Sequence, residues 1–200
     1  MASCVACNKL PPNGSKELNK NFCNACFDCL EEPGFFYPIG SSLYSYKGVI
    51  RDLILRTKVG RDHTLLKVLV DLFLHHPSTK RELDLCECIM PVPSSFSGRI
   101  RGSIDITYFL ARECAYHWNK KLMIAPIANH WRIFKRSKQK LRSARQLNFP
   151  VRRDSIPTLL IDDVITTGFS LLQLAYKLEN SQCRFLTLGN AYSIREYQLE

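Results

Sequence analysis

Apolar residues recur along this chain at two different spacings, and the spacings alternate. Val49, Ile50, Leu53 and Ile54 share one face of a helix, with Arg51, Asp52 and Arg56 between them. The same period predicts a second helix from about Asp62 to His76, terminated by Pro77. Ser103 to Trp118 predicts a third, with Ile104, Tyr108, Ala111 and Ala115 on one face. Leu85–Val92 is a short apolar run, interrupted by Glu87, that reads as a strand stopping at Pro91-Val92-Pro93. Leu122–Ile127, Thr158–Ile161 and Phe185–Leu188 read as further strands, and Ser170–Leu178 as a last helix. Strands alternating with helices imply an α/β fold with a mainly parallel sheet flanked by helices. Residues 1–40 lack either period and are punctuated by cysteine, proline and glycine. They predict a separate small module, closing near Glu31-Glu32-Pro33-Gly34, ahead of an α/β domain over 41–200.

Composition narrows the class. Hydrophobic residues at 46% and charged residues at 23% exclude a disordered chain. The longest apolar runs, such as Leu65–Leu74, are broken by Lys67 and Asp71 and are too short to span a membrane. The first ten residues lack the basic start and apolar run of a signal peptide, so a cytoplasmic location is expected. The net charge of +10 is unevenly spread. Residues 1–100 carry 12 basic and 10 acidic side chains, whereas residues 101–200 carry 16 and 8. From Ala115 through Arg153 there are 11 Lys and Arg and no acid. Such asymmetry implies a polyanionic partner, either a phosphate-bearing small molecule or nucleic acid.

Nine cysteines in a reducing compartment point to metal binding or buried thiols rather than disulfides. Cys4-Val-Ala-Cys7 precedes Cys23-Asn-Ala-Cys26-Phe-Asp-Cys29. Paired knuckles of this spacing suit tetrahedral zinc, because each supplies two thiolates from one tight turn. Four ligands are needed and five cysteines are available, so Cys23/Cys26 and Cys26/Cys29 compete for the second knuckle. A closed four-cysteine site is structural, with no open position for a reactant. Cys86 and Cys88 share a strand face as sheet thiols, and Cys114 and Cys183 read as small buried hydrophobes.

The stretch Thr158-Leu-Leu-Ile-Asp-Asp-Val-Ile-Thr-Thr-Gly-Phe-Ser170 carries the most chemistry. A buried strand ends in Asp162 and Asp163, and a short loop then opens a helix. Backbone N–H groups at such a loop cradle a phosphate, aided by the helix dipole. The segment Val164, Ile165, Thr166, Thr167, Gly168, Phe169 and Ser170 is therefore the candidate phosphate site. Thr166, Thr167 and Ser170 add hydroxyl donors, and Gly168 permits close approach. Carboxylates repel phosphate but accept hydrogen bonds from vicinal hydroxyls. Two acids beside a phosphate cradle thus describe a site for a ribose 5-phosphate, with Asp162 and Asp163 on the ribose.

This stretch resembles the phosphoribosyl pyrophosphate signature of type I phosphoribosyltransferases. Phe169-Ser170 stands where that signature commonly has Ala or Gly followed by Thr, and the phenyl ring is expected beside the loop. The whole chain is similar to the ComF/ComFC family, cytosolic proteins linked to DNA uptake in natural transformation. Tyr46-Lys47-Gly48 through Lys58, Met90-Pro-Val-Pro93 with Arg99-Ile-Arg-Gly102, and Gln139-Lys-Leu141 with Arg145-Gln-Leu-Asn148 carry the likeness beyond the cysteine module. Ser103-Ile104-Asp105 departs from the family's Phe-Asn-Gln.

The resemblance implies a pyrophosphate-binding loop at Pro91, Val92, Pro93 and Ser94, with Arg99, Arg101 and Lys58 adding charge. From the residues alone, the loop's backbone N–H groups and serine hydroxyls can meet a phosphate, the other reading being a proline-stiffened turn, and Lys58 ends an apolar helix from which an ammonium reaches solvent. The segment 130–153 would cover the site. Its Arg132, Lys135, Arg136, Lys138, Gln139, Lys140, Arg142 and Arg145 can close over pyrophosphate or grip a nucleic-acid backbone. Trp131 and Phe134 among them can stack on bases.

The expected function is a phosphoribosyltransferase-like protein that binds phosphoribosyl pyrophosphate or a related ribose phosphate. By resemblance it acts in DNA uptake, binding single-stranded DNA and contacting the uptake machinery. The expected metals are structural Zn and Mg²⁺ accompanying the pyrophosphate. One alternative is an active Mg²⁺-dependent transferase that releases pyrophosphate; no catalytic acid, base or acceptor site is identifiable from the residues. The other is a nucleic-acid-binding adaptor with a vestigial donor site.

Overall fold

A computed structural model describes residues 3–8, 21–31, 33, 39–93, 102–124, 156–178 and 182–191. Among them five strands form one all-parallel sheet: β1 (Gly40–Ser45), β2 (Cys88–Pro91), β3 (Lys121–Leu122), β4 (Thr158–Ile165) and β5 (Cys183–Asn190), in the order β1-β5-β4-β2-β3. The helices are α1 (Asn24–Asp28), α2 (Gly48–Gly60), α3 (His63–His75), α4 (Pro77–Asp84), α5 (Ile106–His117) and α6 (Phe169–Lys177).

The central strand is apolar on both faces, as a covered parallel strand must be. Leu159 and Ile161 point into a large core built from α2, α3, α4 and α5, with Leu53, Leu69, Phe73, Leu83 and Leu110 fully buried. Leu160 points the other way, where Met90, Phe185 and Ile165 meet Leu171 and Leu174 of α6. One helix thus packs on the second face among the described residues, against four on the first.

Two elements escape the periodicity. Pro77 does not simply end a helix. The chain turns extended at His76 and restarts as α4 with proline in its first turn, where a missing N–H costs nothing. The His76 imidazole Nδ1 accepts from Ser78 N–H at 3.2 Å and caps the new helix. β1 is hidden because its sequence, GSSLYS, is half serine, yet Ser41 and Ser42 are buried. The Ser42 and Thr187 hydroxyls pair at 2.5 Å between β1 and β5, so the polar atoms are satisfied inside the sheet.

The boundaries also shift. β2 occupies Cys88–Pro91 rather than the whole of Leu85–Val92, because Leu85 still caps α4. Cys86 therefore precedes the strand instead of sharing it with Cys88. β4 continues four residues beyond Ile161, through both aspartates. β3 covers Lys121 and Leu122; residues 125–127 of the expected strand lie outside the described residues.

Candidate functional site

The topology creates a crevice before any side chain is considered. From β2 the chain passes through α5 to β3 on one side, and from β4 it passes through α6 to β5 on the other. β2 and β4 are neighbours, so the connections diverge between them. Open α/β sheets bind ligands outside the carboxyl ends of strands at such a switch point. The last residue of β2, Pro91, pairs with Ile161, and Val92 N–H donates to the Ile161 carbonyl at 2.8 Å. Past that point β4 runs on with β5 but without β2, carrying Asp162 and Asp163 beside Pro91-Val92-Pro93.

Two helices reach these acids. α2 starts beyond the end of β1, and Lys58 in its last turn pairs with Asp163 Oδ2. Thr107, in the first turn of α5, donates to Asp162 Oδ1 at 3.4 Å, and Asp163 N–H donates to the same oxygen at 2.8 Å. Each carboxylate is thereby anchored through one oxygen, and the two carboxyl groups also interact with each other; among the described residues no N–H, ammonium or hydroxyl of another side chain donates to Asp162 Oδ2 or Asp163 Oδ1. The ends of α2 and α5 are also tied together. Arg61 caps α2 in the left-handed region (φ 57°), and its guanidinium lies against Gly102. Gly102 has a positive φ of 66°, a conformation that favours glycine, and a Cβ there would also press on the Arg61 guanidinium at 3.1 Å.

Electrostatics separate the two acids. Burial, then the neighbouring Asp163 charge, pushes the Asp162 carboxyl well above the usual carboxylate range. Burial alone would lower the Lys58 ammonium, but Asp163 beside it, with Asp162 behind, raises it instead. The site therefore holds a charged Lys58–Asp163 pair next to an acid that resists ionisation.

Past β4 the chain turns through Thr166, Thr167 and Gly168, whose positive φ of 65° suits glycine, and α6 begins at Phe169. Thr166, Thr167, Phe169 and Ser170 are exposed. The N–H groups of the first helical turn have no partners within the helix. Phe169 N–H has one local acceptor, Thr167 Oγ1, at 3.4 Å. Val164 and Ile165 lie within the sheet, paired with Gly189 and Asn190 of β5, so the exposed loop is shorter than the expected 164–170 segment. Phe169 is 43% exposed, since the buried face of α6 is set by Leu171 and Leu174.

The structure thus brings Lys58, Pro91, Val92, Pro93, Asp162 and Asp163 to one sheet edge, with the Thr166–Gly168 turn directly following. Ser94, Arg99, Arg101 and the entire basic set Arg132, Lys135, Arg136, Lys138, Gln139, Lys140, Arg142 and Arg145 lie outside the described residues. Thr107 was not singled out by the sequence. It is an unremarked residue of an amphipathic helix, and no local pattern signals a contact across 55 positions.

A second centre lies at the N-terminus. The sulfurs of Cys4, Cys7, Cys23 and Cys26 all lie within 4.8 Å of one another, and Cys7 Sγ and Cys23 Sγ are 3.7 Å apart. Tetrahedral zinc with Zn–S of about 2.3 Å needs sulfurs roughly 3.8 Å apart, so the cluster fits a metal such as zinc. This resolves the choice of ligands: Cys23 opens the knuckle, α1 carries Cys26, and Cys29 caps α1 in an exposed position outside the cluster. Val5 N–H donates to the Asn21 carbonyl at 2.9 Å and holds the two knuckles together. Burial raises the Cys4 thiol, but backbone N–H groups of Cys23, Cys7 and Ala6 outweigh it and bring it down to about 6. Burial and the neighbouring sulfurs push Cys26 up. Cys86, Cys88, Cys114 and Cys183 lie outside this cluster; burial lifts Cys86 and Cys183 to about 11 and raises Cys88 and Cys114.

No helix among the described residues is long and apolar enough to cross a membrane. Compared with known proteins, the chain matches no protein-family model and no curated protein sequence.

Proposed function

We propose that the crevice between β2 and β4 binds phosphoribosyl pyrophosphate or a related ribose phosphate, and that the protein is phosphoribosyltransferase-like. One observation carries this reading. Two adjacent acids at the switch point are each anchored through one oxygen and, among the described residues, take no donor from another side chain on the other, two residues before a Thr-Thr-Gly turn with exposed threonines that opens a helix. Asp163 Oδ1 accepts from one of the vicinal hydroxyls of the ribose, and the Asp162 carboxyl pairs through Oδ2 with the other. The N–H groups and hydroxyls of the turn hold the 5-phosphate. Lys58 and the Pro91–Pro93 segment flank the position of the group on the anomeric carbon, and Mg²⁺ enters with the pyrophosphate. On the resemblance to the ComF/ComFC family, this ligand serves a protein of DNA uptake. Its basic segment 130–153 meets single-stranded DNA.

Thermal shift with a ligand series tests the ribose claim. Phosphoribosyl pyrophosphate with Mg²⁺, at about 100 times its dissociation constant, should add about 2.7 kcal/mol of stability. 2-Deoxyribose 5-phosphate lacks the vicinal diol and should add much less than ribose 5-phosphate. Equal shifts from the deoxy and hydroxy sugars, or no shift from any of them, would overturn the reading.

A further inference from the structure

α5 has two unlike faces. Ile106, Thr107, Leu110, Ala111, Cys114 and Ala115 are buried where the helix packs on β2, β4 and α3. The opposite face runs Tyr108, Phe109, Arg112, Glu113, Tyr116 and His117, two rows at the i, i+4 spacing that aligns side chains along a helix. Tyr108 is 38% and Tyr116 85% exposed. The two charges on this face cancel, because Arg112 Nε and Nη2 both donate to Glu113 Oε1, at 3.0 and 2.6 Å. The guanidinium also lies 4.7 Å over the Phe109 ring, which Tyr108 meets edge-on at 5.9 Å. A chain of net charge +10 thus carries a helix face of aromatic rings with no net charge. Aromatic residues and Arg without Lys are the composition of a protein interface core. Nucleic acid fits it poorly, because its one Arg is already neutralised and no other Lys or Arg stands on it to meet phosphate.

The face is also its own complement. Two rings precede the Arg-Glu pair and two follow it. Copies laid antiparallel about a two-fold axis between Arg112 and Glu113 set Arg112 against the partner's Glu113, and Phe109 against the partner's Tyr116. Arg112 Nη1 and Glu113 Oε2 have no partner among the described residues, and across the axis they find one in each other. We propose that this face of α5 is a self-association surface through which two copies of the chain pair antiparallel as a symmetric dimer. One helix face is smaller than the about 800 Å² per partner of a standard interface, so the dimer forms and dissociates with concentration.

Sedimentation of the full chain across the micromolar range tests this. Wild type should pass from monomer to dimer and no further. Tyr116→Glu and Arg112→Glu should each weaken association at least about tenfold, the effect of losing one interface hot spot. Arg112→Glu sets acids against acids across the axis, and Glu113→Arg sets bases against bases. Mixed in equal amounts, these two variants should pair with each other, since each supplies the charge the other lacks. Tyr116→Glu stays usable if a charge reversal unfolds the protein, which thermal melts report. A wild type that stays monomeric up to about 1 mM, a dimer that survives Tyr116→Glu, or folded charge variants that fail to pair when mixed would overturn the proposal. So would a monomer in which Tyr116→Glu abolishes binding of a single-stranded oligonucleotide, because the face would then serve nucleic acid.

Discussion

Asp162 is held in the fold against its own preference for water. Burial and the charge of Asp163 raise its pKa above the ordinary value of about 3.9. The folded state therefore binds a proton more tightly than the unfolded chain does. The contribution to stability is greatest below the ordinary carboxylate value and is lost as pH rises through the raised one. Asp162→Asn removes that loss and keeps an acceptor for Thr107. At pH 7 it should stabilise the protein by roughly 0.5–2 kcal/mol while ribose-phosphate binding falls. Thermal melts of both proteins from pH 4 to 8 check this, with the stability gap widening as pH rises. An acid retained at a stability cost is what a binding site produces. The acid pair and its turn were legible because their chemistry is contiguous. Lys58 stood out only through the family likeness, and its partner, 105 residues away, has no local signature.

Elements are held together by polar contacts that the hydrophobic pattern does not reveal. Glu82 of α4 is 1% exposed, accepts from Ser41 Oγ of β1 at 2.7 Å, and pairs with Arg184 Nε of β5 at 2.7 Å. Arg81 Nη2 donates to the same Ser41 hydroxyl at 2.8 Å. Removing one partner of such a buried pair leaves the other charge uncompensated, so Glu82→Ala should cost about 3–5 kcal/mol in denaturant unfolding. β1 has a second requirement. A Cβ on Gly40 would collide with the Phe185 backbone and ring, and Gly40→Ala should cost about 1–3 kcal/mol by forcing the two strands apart. Helices with one apolar face and strands with continuous apolar runs were readable from spacing. β1 was not, because buried serines satisfied by Thr187 and Glu82 look like a surface loop in sequence. α4 was not, because proline ends one helix and begins the next in a single residue.

At the scale of the whole molecule, the cysteine knuckles and the sheet share one core. Phe22, next to Cys23, is 1% exposed within the main hydrophobic cluster, and Val5, Phe27 and Leu30 pack against it. Arg56 Nη1 of α2 donates to the Val5 carbonyl at 2.9 Å, and Ser45 N–H at the end of β1 donates to the Glu31 carbonyl at 2.8 Å. Metal loss should therefore destabilise the α/β core as well as the knuckles. Cys26→Ser should abolish binding of one zinc per chain and lower Tm, whereas Cys29→Ser should keep both, as read by metal analysis and calorimetric melting. The spacing of the cysteines left that choice open, and the helical turn of α1 made it. The central claim concerns the acid pair at the β2–β4 crevice, proposed to bind a phosphorylated ribose. Its most direct test is calorimetric titration of phosphoribosyl pyrophosphate with Mg²⁺ into wild type and Asp163→Asn. Saturable binding to one site in wild type, weakened at least about tenfold in the variant, is the predicted result. Absence of binding to a folded wild type, or binding untouched by the substitution, would contradict the account.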